Sequence, residues 1–414
     1  MSNLKNFITF ARTYAGTSEL LKRLCETFVG YIMYPVAYIF PRNKNKWLFG
    51  TNVGFTDNAK YLYLYTLEQK EVRAIWITNK PEVLQQMRSL QLEVYSKWSI
   101  KGLWHCLTAG RYIFTSHSND INFFTAGRAK KVELWHGVGI KAGSSGTKGK
   151  KREDTIKSLL YRLLVPHTYE QFDLFLSTGP LMNKHFTEMF NLKESIVFDG
   201  SYPRCNFLQQ SPEYIERHIK KYENQETRQL VEKLKQYKHV YLYMPTWRTD
   251  LKDDFLKVAG FDFNRLNDTM KETNSLFLLK LHPAVRHQGE YHNYDSLLFL
   301  PSKMDVYSIL PYTSVLITDY SSIYYDYLLM RDKRIVLFPF DYEQYRKTSN
   351  SLAFDFESYT PGVRTFCFES LLQIIKDESD LTIPEAEKII KLFWGDNYRD
   401  KANNHLLYSK IQNL

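Results

Sequence analysis

The sequence predicts an α/β protein of two similar units, each a parallel sheet covered by helices, facing one another across a cleft. The first observation behind this is length. At 414 residues the chain exceeds what one hydrophobic core usually organises, and two domains of ordinary size follow. The second is an alternation of strand-like and helix-like runs. Segments rich in apolar, aromatic or β-branched residues at Lys46 to Gly50, Arg73 to Thr78, Tyr112 to Ser116, Val132 to Trp135 and Leu174 to Ser177 are separated by helical stretches, the first from Asp57 to Leu67. Such alternation favours a parallel sheet with helices on its faces. The third is a second set of strands at Val240 to Met244, Leu276 to Leu281, Val315 to Thr318 and Ile335 to Phe338, whose apolar runs suit strands buried on both sides. The charged helical region Pro212 to Lys238 separates the two sets and opens the second unit. No repeat of fixed period is visible, and Ile383 to Phe393 reads as an amphipathic helix.

Composition narrows the class. An apolar fraction of 44% with 15% aromatic residues and no long low-complexity tract describes a folded globular chain and excludes disorder. Cys25, Cys106, Cys205 and Cys367 are widely spaced and form no CxxC pair, which argues against a zinc site or a disulfide framework and for a reducing compartment. The net charge of +10 asks for an anionic partner. Near the N-terminus, Lys22 and Arg23 precede the apolar run Phe28 to Phe40, and Arg42, Lys44 and Lys46 follow it. The run falls short of the roughly 20 apolar residues a spanning helix needs, and Gly30 and Pro35 interrupt it. Two readings stay open: a helix docked in a membrane interface, which the basic flanks favour, or a helix packed on the first core. No cleavable signal peptide is expected.

In open α/β sheets ligands bind beyond the carboxyl ends of the strands, so the residues just after each strand carry the functional expectations. His136 follows Val132 to Trp135 in a glycine-containing turn with Gly137, Gly139 and Lys141. Histidine exchanges a proton near neutral pH, so His136 is a candidate general base; the competing reading is a histidine hydrogen-bonded beneath a loop. Thr318 ends the strand Val315 to Thr318, and Asp319, Ser321 and Ser322 follow it and precede a helix from Ile323 to Met330. Hydroxyls and backbone N–H groups at such a turn suit phosphate oxygens, whereas simple helix capping explains the same residue types. Arg248 in Pro245-Thr246-Trp247-Arg248, and His282 in His282-Pro283 with Arg286 nearby, also stand at second-unit strand ends and offer donors to phosphate. The basic, glycine-rich tract Lys141 to Arg152 lacks the GxxxxGK[ST] order of a P-loop. No nucleic-acid-reading motif accompanies the charge, so no nucleic-acid partner is expected.

Taken in order, Trp47-Leu48-Phe49-Gly50, Asp57-Asn58-Ala59-Lys60, Trp135-His136-Gly137 with Lys141, Tyr202-Pro203-Arg204, Pro245-Thr246-Trp247-Arg248, Leu281-His282-Pro283, Leu316 to Ser322 with Asp326, and Pro361-Gly362 resemble the CDP-glycerol glycerophosphotransferase family of teichoic acid primases and polymerases in bacterial cell-wall and capsule synthesis. The resemblance covers roughly residues 45 to 375. It implies a GT-B-like architecture of two Rossmann-like domains: a helical, membrane-associating segment over 1–44, an acceptor-side domain over 45–210, a CDP-donor domain over 211–380, and a C-terminal helix over 381–414 packing across both. It further implies transfer of glycerol phosphate or ribitol phosphate from CDP-glycerol or CDP-ribitol to a lipid-linked glycan or growing polymer, with release of CMP, at the cytoplasmic face of the membrane. His136 and His282 become the catalytic candidates. Arg248, Arg286, Thr318, Ser321 and Ser322 become donor-phosphate ligands, and Gly137, Lys141, Asp319 and Asp326 supporting residues. The family resembles metal-independent GT-B enzymes, so neither metal nor cofactor is expected, and a homo-oligomer is left open.

Three positions depart from the family's usual pattern: Ser201 before Tyr202, Val138-Gly139 after Gly137, and Ser314 before the Val315 strand. None removes a proposed reacting group, but the change beside His136 bears on the acceptor. A GT-B glycosyltransferase acting on a nucleotide sugar shares the architecture and is the alternative function; a non-catalytic scaffold is the third.

Overall fold

The computed structural model describes residues 25–139, 162–246, 248, 255–282, 294–330, 332–348, 352–377, 381–396, 398–401 and 403–414. Lys141, the tract to Arg152, and Arg286 lie outside the described residues. The described chain builds two sheets in which every pairing is parallel. The first contains β1 (Asn43–Gly50), β2 (Arg73–Thr78), β3 (Val94–Ser96), β4 (Ala109–Phe114), β5 (Lys130–Glu133), β6 (Leu174–Ser177) and β7 (Val197–Asp199), in the order β3-β2-β1-β4-β5-β6-β7. The second contains β8 (His239–Met244), β9 (Ser275–Leu279), β10 (Leu297–Phe299), β11 (Val315–Thr318), β12 (Arg334–Leu337) and β13 (Val363–Arg364), in the order β10-β9-β8-β11-β12-β13. Both are doubly wound. The strand order reverses between β1 and β4 and again between β8 and β11, and these are the points where an open α/β sheet leaves a crevice.

Local chemistry accounts for where the elements begin. β4 starts at Ala109, earlier than the apolar run at Tyr112 suggests, because Gly110 lets β1 come close: a Cβ there would lie 2.5 Å from the Asn43 carbonyl oxygen. The region Pro212 to Lys238 resolves into two helices, Pro212–Tyr222 and Gln225–Leu234, each capped by a side chain. Ser211 Oγ accepts the Tyr214 N–H, and Asn224 Oδ1 accepts the Thr227 N–H at 2.8 Å. Between them Glu223 is left facing inward.

The two sheets are joined by buried contacts. The helix Ala386–Trp394 packs against both Pro180–Phe190 on the first sheet and Ile323–Leu328 on the second. Thr178 Oγ1 donates to the Phe393 carbonyl at 2.7 Å. Further on, the helix Asn404–Gln412 returns to the first sheet, where Arg111 Nε donates to the Ile411 carbonyl and the Tyr408 ring lies 5.0 Å from that of Trp47. Lys60, on the helix Asp57–Gln69, reaches Glu223 at 2.5 Å and Asp305 at 2.7 Å, with Ser308 Oγ donating to Glu223 at 2.6 Å; all four residues are buried.

Residues 25–39 are helical. One face packs on the first unit: a Cβ on Gly30 would overlap the Phe124 ring, Ala37 is buried, and Tyr34 stacks on Phe123 at 5.7 Å. The opposite face leaves Phe28, Ile32 and Ile39 exposed, at 70%, 57% and 78% of their surface. Among the described residues no helix is long and apolar enough to cross a membrane.

Lys60→Met leaves two carboxylates buried without their cation, and an uncompensated buried charge of this kind costs about 3–5 kcal/mol. Burial already holds the Glu223 carboxyl above the usual carboxylate range, although Lys60 opposes this. An acid whose folded-state pKa is raised loses stabilisation as pH rises past its unfolded value. Denaturant titrations of the variant are therefore expected to show the largest deficit at pH 7–8 and a smaller one near pH 5.

Candidate functional site

The site is built where the two switch points face each other. On the first sheet, β5 ends at Glu133 and the chain turns sharply: Trp135 takes φ +52°, a left-handed conformation that costs a bulky residue about 1–2 kcal/mol. The turn is held from three sides. Glu133 Oε1 accepts the Trp135 N–H at 2.9 Å, Asn58 Nδ2 donates to the Trp135 carbonyl at 2.8 Å, and the indole packs on Phe175, Phe186 and Phe190. Asn58 opens the helix Asp57–Gln69 at the end of β1, so the first switch point braces the turn directly.

His136 projects from this turn and is exposed, with its ring 3.9 Å from that of Trp135. Its Nδ1 lies 3.3 Å from the carbonyl oxygen of Thr115, just past β4. A carbonyl only accepts, so a hydrogen bond here requires the proton on Nδ1, the tautomer in which Nε2 is the basic nitrogen of the neutral ring. Thr115 is itself fixed, because Asp120 Oδ2 accepts the N–H groups of Thr115 and Ser116 at 3.2 and 3.0 Å. Beside it lies a polar layer in which Asp120 is buried and two histidines are half-buried. His117 sits 3.6 Å from Asp120 and its ring lies 4.2 Å from that of His167. Burial pulls the two imidazoles down to about 4 and about 3, and it pushes the Asp120 carboxyl up to about 7.

On the second sheet, β11 ends at Thr318 and the turn Asp319 to Ser322 leads into the helix Ile323–Leu328. Ser321 and Ser322 are partly exposed, and Ser322 makes no side-chain cap bond, so capping alone does not account for it. Two expected phosphate ligands are placed otherwise. Thr318 is fully buried and its hydroxyl donates to the Met244 carbonyl at 2.7 Å, because the β8–β11 register sets the two residues side by side. Arg248 is buried between Asp319 (2.5 Å) and Asp341 (2.8 and 2.9 Å), and it also donates to the Thr246 carbonyl. Four of its donor bonds thus go inward, and it braces the turn after β11. Asp319 completes the brace by accepting the Thr246 and Tyr320 N–H groups at 2.8 and 2.6 Å. His282 lies exposed just beyond β9.

The two half-sites touch. A Cβ on Gly137, whose φ is +148°, would lie 2.9 Å from Ser322 Oγ and 3.2 Å from a terminal nitrogen of Arg204. Arg204 is the residue sequence reasoning left without a role. It pairs with Asp57 on one side and with Asp326 on the other, both at 2.6 Å, while its guanidinium lies 4.6 Å from the Tyr307 ring centroid. Tyr307 also donates its hydroxyl to Asp326 at 2.5 Å. Asp57 adopts φ +65°, so the first unit carries a second strained residue at this junction. The motifs Asp57 to Lys60 and Tyr202 to Arg204 were visible as motifs, but only the contacts across the chain reveal what they hold. Among the described residues no group of three or more His, Cys, Asp or Glu is arranged to hold a metal ion.

Two doubly wound sheets, a histidine after β5 beside one switch point and a serine turn abutting its loop from the other define a transferase of the GT-B-like class. Its family is equally clear. Residues 32–408 match the model for CDP-Glycerol:Poly(glycerophosphate) glycerophosphotransferase, and the chain belongs to that family, an enzyme of the CDP-glycerol glycerophosphotransferase type. It is 24% identical over 357 residues to a teichoic acid poly(glycerol phosphate) polymerase of Bacillus spizizenii, covering 83% of this chain and 86% of that one. It is 23% identical over 388 residues to a teichoic acid glycerol-phosphate transferase of Staphylococcus aureus, covering 89% and 93%. Among solved structures, the wall teichoic acid polymerase TagF (H548A) aligns over 100% of this chain and 99% of its own at 18% identity and a TM-score of 0.70, which places the fold.

Gly137→Ala is expected to lower stability by about 1–3 kcal/mol, through backbone strain together with the close approach to Ser322. Adding Ser322→Gly should recover part of that loss by removing the contact and leaving the strain. Denaturant midpoints of the single and double variants measure both.

Proposed function

We propose that this enzyme transfers a polyol phosphate from a CDP-polyol to a hydroxyl of a lipid-linked or growing teichoic-acid-like polymer and releases CMP. The observation that carries the reading is the contact of the Gly137 turn with Ser322, which brings a candidate base within reach of a candidate phosphate cradle. His136 takes the acceptor proton on Nε2, consistent with an Nδ1 that faces the Thr115 carbonyl. The acceptor oxygen attacks the β-phosphorus of the donor, the bond from that phosphorus to the bridging oxygen breaks, and CMP departs with the electron pair. Ser321 and Ser322 hold the pyrophosphate oxygens, and His282, with Arg286, neutralises charge that develops there. Arg248, Asp319 and Asp326 act one step back, by holding the turn and helix that present the serines.

The relatives' names include both poly(glycerol phosphate) and ribitol-phosphate enzymes, and a TagF variant was soaked with CDPG, so CDP-glycerol and CDP-ribitol are the donors to compare. Location follows from the N-terminal helix. Its apolar face, with Phe28, Ile32 and Ile39 outward and basic residues flanking the run, suits the interface of an anionic membrane, where a lipid-linked acceptor resides. That helix is also linked to the base through packed rings: Tyr34 on Phe123, Phe123 at 6.3 Å from His167, and His167 on His117, which lies within electrostatic reach of His136.

CMP release from each donor, with and without lipid-linked acceptor, tests the reading; absence of transfer with both donors and suitable acceptors overturns it. His136→Ala is expected to reduce transfer by about 10²–10⁴-fold while donor affinity changes little. The double change Ser321→Ala, Ser322→Ala is expected to weaken donor binding by about tenfold or more, as for loss of hydrogen bonds to a charged group. Calorimetric titration with the CDP-polyol separates the two effects.

A further inference from the structure

We propose that Glu133 is a positioning residue of the transfer reaction, holding the Trp135 turn so that His136 keeps its ring orientation and its Nδ1–H tautomer. The inference rests on the reading of His136 as the base. Its observations lie beneath that residue. Glu133 ends β5, is 1% exposed, and sends Oε1 to the Trp135 N–H at 2.9 Å, the one peptide whose residue departs into the left-handed region before His136. The other end of the same residue is held by Asn58. His136 thus hangs from two fixed points, the Trp135 turn through Glu133 and Asn58, and the Thr115 carbonyl through Asp120. Release of the first point lets Trp135 relax out of its strained conformation and carries the imidazole away from Thr115.

The state of Glu133 follows from its surroundings. Asp120, Glu170 and Asp57 are the charged neighbours that act on it, and all three are acids. Burial first, and then Asp120, push its carboxyl well above the usual range. Oε2 is buried and has no hydrogen-bond partner among the described residues. A neutral carboxyl therefore meets the requirement, and what the turn uses is one acceptor oxygen at the right distance. Glutamine supplies the same oxygen with the same shape; leucine supplies neither acceptor nor charge; aspartate keeps the acid and falls one methylene short.

The test compares Glu133→Gln, Glu133→Leu and Glu133→Asp in the full chain. Glu133→Gln is expected to keep kcat within about threefold of the parent, whereas Glu133→Leu lowers kcat by about tenfold or more with donor KM within about twofold, the signature of a displaced catalytic group. Should the leucine variant fail to fold, Glu133→Asp carries the same expectation. A second readout is independent of turnover: ¹⁵N-histidine spectra, with the His136 signals assigned by their loss in His136→Ala, are expected to report the Nδ1–H tautomer in the parent and in Glu133→Gln, and a mixture in the leucine or aspartate variant. Parental kcat and tautomer in both of those variants overturn the proposal. So does a glutamine variant as impaired as leucine, which would make the charge rather than the acceptor the essential feature. Undiminished turnover in His136→Ala instead overturns the base reading, and the tautomer measurement then still decides what Glu133 holds.

Discussion

The guanidinium of Arg204 is the constraint on which the site's geometry depends. It is buried, and burial disfavours its charge, yet Asp326 and then Tyr307 and Asp57 raise its pKa well above the ordinary value. Its two terminal nitrogens point to carboxylates on helices of opposite units, and a planar fork fixes direction as well as distance. Because Asp57 adjoins Asn58, which holds the Trp135 carbonyl, and Asp326 lies on the helix that Ser322 opens, one side chain refers both half-sites to a common origin. Lys60, a turn past Asp57 on the helix Asp57–Gln69, repeats the device with Glu223 and Asp305. Buried ion pairs are poor sources of net stability, since desolvation offsets most of the attraction. Their value here is geometric: two sheets with separate strand orders are given one relative position.

This explains why the family motifs are legible while their roles are not. The strands of both sheets could be read because buried parallel strands are continuous apolar runs, and Val315 to Thr318, Arg73 to Thr78 and Leu174 to Ser177 coincide with β11, β2 and β6. The edge strands β3, β7, β10 and β13 could not, since two or three residues carry no period. At the site, His136 and Ser322 stood out because each follows a strand, and a position after a strand is a local property. Arg204, Lys60 and Glu133 act through partners far along the chain or through burial, and neither is written in their neighbours. Arg248 and Thr318 misled for the same reason. Arg248 stands beyond a strand end and Thr318 closes one, but the Thr318 hydroxyl turns to the Met244 carbonyl, and Asp341, 93 residues away, captures Arg248.

The strain is placed where the chemistry needs it. Asp57 and Trp135 both adopt left-handed backbone, and Gly137 has positive φ; all three lie within the contacts that surround Arg204 and the His136 turn. A strained turn persists only when its neighbours over-determine it. Here Glu133, Asn58 and three phenylalanines do so, so the imidazole stands on a rigid mount although it is itself exposed. The serine turn is braced by different means: Arg248 with Asp319 and Asp341 below it, and a short helix buried along its whole length.

On the proposed transfer to a polymer acceptor, rigidity at both half-sites has a consequence for that acceptor. An acceptor that lengthens with each transfer cannot be recognised along its whole length by a fixed cleft, and only its terminal hydroxyl has to meet the base. Its other end can be held elsewhere. On the proposed docking of the apolar outer face of residues 25–39 in a membrane interface, a lipid-linked acceptor kept at that surface would be confined near the enzyme without occupying the cleft. Confinement of this kind raises the local concentration of acceptor ends without adding any contact at the phosphate. Donor and acceptor specificity then separate. On that proposed reading the serine turn and its brace would meet a CDP-linked phosphate that is the same in every cycle, and the turn around Gly137 to Gly139 would meet only the last unit of the chain.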